Sequence, residues 1–179
     1  MAGANVTAID ISENRIKRLK ENLNRLKYKA ETVCADVKEW WFQQREKIQK
    51  FDIVLLDAPC SATGTLRRHP DVIWHRTPQD ISRLCASQKQ LLETAVQMMS
   101  DNAEMVYCVC SVLPEEGRLM IDEAVQSGLV ERVALNKTEI PEEMITKDGD
   151  LLLLPFFYET NGGCDGFYAA KLRKRNNKK

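Results

Sequence analysis

The stretch Phe51 to Gly64, FDIVLLDAPCSATG, decides how the rest of the chain is read. Phe51, Ile53, Val54, Leu55 and Leu56 form a short, nearly continuous apolar run, the pattern of a strand buried on both faces of a parallel sheet. Asp57 falls where that strand ends. Pro59 cannot donate to a ladder and Gly64 relaxes the backbone, so residues 58–64 are predicted to be a loop at the carboxyl edge of the sheet, where open α/β folds bind ligands. A carboxylate and a thiol, Asp57 and Cys60, are thereby placed together. An isolated Asp or Cys here reads most simply as a turn cap and a small buried hydrophobe. A second cysteine at the end of another predicted strand, Val106 to Ser111, shifts the balance towards a site.

The chain has 179 residues, 44% hydrophobic and 29% charged, which is enough for one domain with a core and excludes disordered and fibrous classes. It has no apolar run of membrane-spanning length and no amino-terminal basic-then-apolar signal pattern, so the expected compartment is the cytoplasm, with no membrane partner. Six cysteines lack the density of a secreted disulfide scaffold and have no paired zinc spacing, so they read as reduced thiols with no metal. The 26 basic residues balance the 26 acidic ones, which argues against holding nucleic acid by bulk charge alone. Placement matters more than the total. Arg67, Arg68 and His69 directly follow the Cys60 loop and are candidates for phosphate contact, whereas the basic tail from Lys171 to Lys179 reads as a solvated end.

Strand and helix alternate along the chain. Residues 6–10 read as a strand, and Asp10-Ile-Ser-Glu13 as a helix start with a cap followed three positions later by Glu. Ile16, Leu19, Leu23 and Leu26 mark one helical face. A strand over 30–35 ends at Asp36, and a helix over 37–48 follows. After the Phe51 strand come a helix over about 79–100, a strand over 105–111, and a helix from Pro114 to Gln126 stopped by Gly128. Strands over 130–135 and 166–172, separated by a polar connection at 141–149, complete the reading. The class is α/β, with a parallel or mostly parallel sheet covered by helices. Asp10, Asp36 and Asp57 all fall at strand ends. A carboxylate after the second strand of a nucleotide-binding unit suits ribose hydroxyls, although capping is an equal reading for any one of them.

Four motifs then carry a resemblance: Asp-Ala-Pro-Cys-Ser-Ala-Thr-Gly at 57–64, Arg-Arg-His-Pro-Asp at 67–71, Tyr-Cys-Val-Cys-Ser at 107–111 with Pro-Glu-Glu at 114–116, and Asp-Gly-Phe-Tyr-Ala-Ala at 165–170. Together, and in this order, they resemble the Nol1/Nop2/Sun family of RNA cytosine-5 methyltransferases, most closely the bacterial Sun/Fmu enzymes of small-subunit ribosomal RNA. The resemblance implies a Rossmann-like S-adenosylmethionine-dependent methyltransferase fold over residues 1–172, with a basic tail at 173–179. It implies Cys110 as nucleophile, Cys60 as the group assisting product release, and Asp57 at the cytosine. Asp10 and Asp36, with Asp57, would hold S-adenosylmethionine, and Arg67, Arg68 and His69 would meet ribosomal RNA.

Two departures stand out: Val109 occupies the usual Thr or Ser position before the nucleophile, and Gly117 the usual Asn after Pro-Glu-Glu. In the family, a further strand and a glycine-rich cofactor loop precede the one at Val6, and this sequence begins only five residues before it. The expectation is a catalytic portion lacking that strand. The strands at Val6 and Phe51 would then be neighbours only through it, and the open edge would be filled by self-association or by a partner chain. A non-catalytic remnant that binds RNA or such a partner is the alternative, and a methyltransferase acting on another substrate is a third reading.

Overall fold

The computed structural model describes residues 3–136 and 140–175, and the last four residues of the basic tail lie outside them. The chain divides into two compact units, residues 1–49 and 50–179.

In the first unit, β1 (Thr7–Asp10) and β2 (Glu31–Cys34) form a parallel ladder running from Thr7 opposite Glu31 to Asp10 opposite Cys34. Helix α1 (Glu13–Leu26) connects them, and α2 (Val37–Gln44) follows β2. The cap of α1 is Ser12 rather than Asp10: the Ser12 hydroxyl accepts from the Arg15 amide, while Asp10 accepts from the Ser12 amide at 2.7 Å. The acid thus orients the capping residue from one step outside the helix. Of the expected apolar face, Ile16 is buried, Leu19 and Leu23 are half-buried and Leu26 is exposed. Helix α2 stops four residues earlier than predicted, where the chain tightens into a turn with the Lys47 amide on the Gln44 carbonyl at 2.7 Å.

The second unit contains β3 (Phe51–Asp57), α3 (Pro78–Met98), β4 (Met99–Val109), α4 (Arg118–Gln126), β5 (Val130–Arg132), β6 (Leu151–Leu153) and β7 (Phe167–Lys174). Its sheet has the order β3-β4-β7-β5, with β6 also pairing β7. Strands β3 and β4 are parallel, and β7 runs antiparallel to β4, β5 and β6. Within this sheet all strands but β7 therefore share one direction, the mostly parallel α/β sheet that the alternation predicts.

Four expectations are corrected. The apolar run of β3 is buried on one face only: Val54 and Leu56 pack on the core, while Ile53 and Leu55 are 76% and 71% exposed. Strand β3 is the last in its sheet order, so a continuous apolar run does not here mean cover on both sides. Strand β4 starts at Met99, because the ladder steps from Phe51 opposite Met99 to Ile53 opposite Glu104 and takes up the intervening residues as an irregularity. Helix α4 starts at Arg118 rather than Pro114, since residues 114–117 form a turn that sends Glu116 into the interior. Finally, Lys171, Arg173 and Lys174 belong to β7 and pair with Glu104 or Asp101, so the basic end is a strand up to Lys174. Strand β6, in a run of four leucines, was not expected.

The core joins Leu92, Ala95 and Val96 of α3 to Met105, Tyr107 and Val109 of β4, Ile121 of α4, and Ala170 and Leu172 of β7. At its far side the buried Asp150 accepts from the Tyr168 hydroxyl at 2.6 Å and from Arg132 at 3.1 Å, and Arg132 also reaches Asp122 at 2.8 Å. Burial pushes the Asp150 pKa up, against the pull of both donors. No helix among the described residues is long and apolar enough to cross a membrane.

Three motifs meet at a glycine contact. The Gly64 amide donates to the Cys110 carbonyl at 3.0 Å, and the Gly166 amide donates to the Gly64 carbonyl at 2.7 Å. A Cβ on Gly64 would lie 1.9 Å from the Gly166 oxygen, which is backbone and cannot swing aside. Gly64→Ala is therefore expected to cost about 1–3 kcal/mol or more by overpacking. An unchanged urea midpoint would show that this crossing is not a constraint.

Candidate active site

The site is built on the loop after β3. Asp57 closes the strand opposite Cys108, and the Ala58 amide still donates to the Cys108 carbonyl at 3.0 Å. Beyond that point the chain leaves the ladder, turning through Ala62 in a left-handed conformation (φ 61), which is strained for a residue with a Cβ. Cys60 sits on this loop and Cys110 just past the end of β4, and their sulfurs lie 3.3 Å apart. Both cysteines are free thiols and partly buried.

Two sulfurs at hydrogen-bond distance in a half-buried setting do not ionise independently. A thiolate at Cys110 accepts the S–H of Cys60. That bond holds the Cys110 pKa below the usual thiol range, against burial and the Asp57 charge. The same contact, with burial added, drives the Cys60 thiol upward. The neighbouring Cys108 is a different thiol: burial, then the Asp57 charge, pushes it up to about 11. Its sulfur lies 3.9 Å from Asp57 Oδ1. Of the two cysteines in Cys-Val-Cys, Cys110 is thus the one whose thiol is shifted towards ionisation.

What holds the pair in place is a buried polar network. Glu116, fully buried, accepts from the Ser61 amide at 2.8 Å, from the Ser61 hydroxyl, and from Gln88 Nε2 at 3.1 Å. Gln88 Nε2 also reaches the Pro59 carbonyl at 2.8 Å, and Arg76 Nε the Ser61 carbonyl at 3.1 Å. Ser111 Oγ lies 3.2 Å from Ser61 Oγ and 2.9 Å from Thr63 Oγ1, joining the two cysteine segments directly. The motifs contain Ser61, Thr63, Ser111 and Glu116, but no role was assigned to them from sequence. A signal for Gln88 did exist, since it interrupts the apolar stripe of Leu84, Leu91 and Leu92 with a polar side chain.

The remaining predicted residues fall in two groups. Asp10 and Asp36 stand at the carboxyl end of the β1–β2 ladder. Arg15 and the Ser12 amide hold Asp10 below the usual carboxylate range, outweighing its partial burial. Asp36 caps α2 through the Lys38 amide at 2.8 Å. Both side chains are about 30% exposed, and a carboxylate has more acceptor sites than these contacts use, so each fits the hydroxyl-accepting role expected with S-adenosylmethionine. In the second unit, Arg67 and His69 are exposed, whereas the guanidinium of Arg68 forks Asp165 and holds that carboxyl low. Among the described residues no cluster of three or more His, Cys, Asp or Glu could hold a metal ion.

Two cysteine motifs joined through one buried carboxylate, in the order and spacing of the sequence resemblance, agree with the comparison to known proteins. The profile of the family described as 16S rRNA methyltransferase RsmB/F matches residues 1–173. The chain belongs to the RsmB/F family. It is 41% identical over 174 residues to ribosomal RNA small subunit methyltransferase B of Pasteurella multocida (strain Pm70), a match covering 96% of this chain and 37% of that protein. The protein of the same name from Vibrio cholerae serotype O1 is 35% identical, over 96% of this chain and 36% of its own length. Among solved structures, NSun6 from Pyrococcus horikoshii with SFG gives a TM-score of 0.80 at 25% identity, covering 97% of this chain and 42% of that one. The chain thus spans little more than a third of the length of the curated RsmB/F relatives.

Two expected outcomes follow for this member of the RsmB/F family. Cys60→Ala removes the S–H that stabilises the Cys110 thiolate, so the thiolate fraction near neutral pH falls. The pH profile of iodoacetamide labelling at Cys110 then moves to higher pH, and an unmoved profile would exclude the S–H bond as its cause. Glu116→Gln puts an amide donor against groups that are themselves donors, at a cost of about 1–3 kcal/mol. Urea denaturation reads the loss, and a change within error would mean that the network reorganises freely.

Proposed function

We propose that this chain carries the chemistry of an S-adenosylmethionine-dependent methyltransferase acting on carbon 5 of a cytosine in small-subunit ribosomal RNA. The observation that carries the reading is the Cys60–Cys110 contact at 3.3 Å, with a carboxylate, Asp57, at the end of the adjoining strand. A lone depressed thiol suits many nucleophilic reactions. A depressed thiol beside a second, proton-retaining thiol suits one in which the first must both attack and depart.

Cytosine carbon 5 is a weak nucleophile. Addition of the Cys110 thiolate to carbon 6 forms a carbon–sulfur bond and moves the ring π electrons into an enamine, which makes carbon 5 nucleophilic. S-adenosylmethionine, when bound, would supply the electrophilic methyl group that carbon 5 takes, leaving as the thioether S-adenosylhomocysteine. Asp57, exposed at the strand end, accepts from the N4 amine and relays a proton from solvent to N3, neutralising the ring as electrons shift on addition. The methylated carbon 5 still carries its hydrogen. Removal of that proton restores the ring double bond and expels the Cys110 thiolate. Cys60, having passed its own proton to solvent once Cys110 is tied up in the carbon–sulfur bond, is the base within reach of that step, and the N3 proton returns through Asp57 as the thiolate leaves.

Asp10 and Asp36 are assigned to the ribose and adenine of S-adenosylmethionine by the acceptor chemistry of their carboxylates. Arg67 and His69 are assigned to RNA phosphates. Arg68, committed to Asp165, acts mainly by holding the carboxyl-terminal motif against this segment. This refines the sequence expectation that gave all three residues the same role.

The division of labour between the thiols is tested in the intact encoded protein with ribosomal RNA and S-adenosylmethionine. Cys110→Ala abolishes methyl transfer and forms no adduct. Cys60→Ala forms the adduct more slowly near neutral pH but cannot resolve it, so a covalent protein–RNA complex accumulates and survives denaturing electrophoresis. If both variants behaved alike, the assignment would be wrong.

A further inference from the structure

The segment joining the Cys60 loop to α3 holds a large apolar side chain that is left exposed among the described residues. Residues 66–77 read LRRHPDVIWHRT, and Pro70 to His75 form a 3-10 turn. Trp74 in that turn is 85% exposed and Ile73 58% exposed. Tryptophan is rarely left this open, because its indole has the largest apolar area of any side chain. The turn is nevertheless firmly placed. Below it, the Arg68 and His69 amides donate to the Thr65 carbonyl at 2.9 and 2.8 Å, and Arg68 forks Asp165. Above it, Arg76 donates to the Ser61 carbonyl at 3.1 Å, and Thr77 and Asp80 form a reciprocal cap on α3. Trp74 is thus two residues from a side chain bonded to the neighbour of Cys60. The indole is presented on a braced turn whose carboxyl-terminal end is bonded to the Cys60 loop.

Its surroundings select what it would meet. Arg67, His69, His75 and Arg76 are all exposed along the same segment, with Asp71 the opposing acid in the turn. An exposed aromatic face interleaved with basic side chains is the arrangement that holds single-stranded nucleic acid, the cations meeting phosphates and the ring stacking on a base. A protein partner's apolar face would not call for the cations. We infer that Trp74 is a stacking platform for a base of the single-stranded RNA that presents the target cytosine. The inference rests on the proposed methyltransferase reading and names a substrate-binding residue which that reading does not assign.

Stacking requires an aromatic ring rather than apolar area, and this separates it from a protein-docking role. In the intact encoded protein, binding of a short fluorescein-labelled single-stranded RNA containing cytosine is measured by anisotropy over a series of salt concentrations. Trp74→Leu is expected to weaken binding about tenfold, Trp74→Phe much less, and both with the wild-type salt slope, since no phosphate contact is removed. Arg67→Ala instead flattens the slope. Because Trp74 is exposed, the unfolding midpoints of both Trp74 variants stay at the wild-type value. Equal RNA affinity for wild type and Trp74→Leu would overturn the inference, as would a shift in oligomeric state caused by Trp74→Leu, which would make the indole a protein contact. Failure here is distinguishable from failure of the methylation reading. Loss of the stacking effect with the Cys60→Ala adduct intact refutes only the platform, whereas tenfold weakening with no adduct refutes only the chemistry.

Discussion

A loop that carries a reactive thiol into a half-buried position must satisfy its backbone polar groups without a ladder, and most of this structure follows from how residues 58–64 do so. The Ala58 and Gly64 amides go to carbonyls at the end of β4 and just beyond it, the Ser61 amide goes to Glu116, and the Pro59 and Ser61 carbonyls take Gln88 and Arg76. Unpaired buried backbone groups cost as much as lost hydrogen bonds, so each partner is held to its place by the loop as firmly as it holds the loop. Gln88 must face inward from α3, and Glu116 must leave the helix that Pro114 would otherwise begin. Gly166 must pass close enough to Gly64 that neither can carry a side chain. The thiol pair is therefore positioned by the same bonds that keep the loop folded.

That economy has an electrostatic consequence. The charges nearest Cys110 are carboxylates, Asp57 and Glu116, which by themselves disfavour a thiolate. The largest contribution that lowers its pKa is the contact with the neutral thiol of Cys60, helped by a backbone hydrogen bond. A donor of this kind can also give up its proton and act as a base later, which a guanidinium cannot do. On the proposed mechanism, a thiol rather than a cation beside Cys110 trades strength of activation for a group with two roles. Cys108, two residues away and against Asp57, has no such donor, and it is pushed up to about 11.

The periodic and chemical signals in the sequence led to different depths of structure. Strand β3, the loop after it and α3 are legible because apolar runs, Pro and Gly each have one dominant physical reading, whereas the choice of Cys110 as the partner of Asp57 and Cys60 comes from the motif resemblance. The cap of α1 was misplaced by two residues because Asp10 and Ser12 are both good caps, and only the backbone direction after β1 decides between them. The start of α4 was hidden because Pro114 is an ideal first-turn residue, and the burial of Glu116 overrides that local preference. The one-sided exposure of β3 and the irregularity that extends β4 depend on which strands lie beside them, information that a run of apolar letters does not carry. Strand β6 was missed for the opposite reason. Four leucines in a row have no period, and only pairing with β7 makes three of them a strand.

The departures at Val109 and Gly117 fit the packing of this chain. Val109 is fully buried opposite Tyr168, where a hydroxyl would need a partner inside the core. Gly117 lies against the ring of the same tyrosine, and a Cβ there would come within 2.9 Å of it. Tyr168 in turn donates to the buried Asp150, so it cannot easily withdraw. A bulkier residue at position 117 would therefore press through Tyr168 on the Asp150–Arg132 pair rather than on the thiols. The same distinction runs through the motifs as a whole. The proposal gives chemistry to Cys110, Cys60 and Asp57, while Ser61, Gly64, Ser111, Glu116, Asp165 and Gly166 are consumed in holding three backbone segments together. A string of such residues in order is specific because most of its letters answer to geometry, and geometry admits few substitutes.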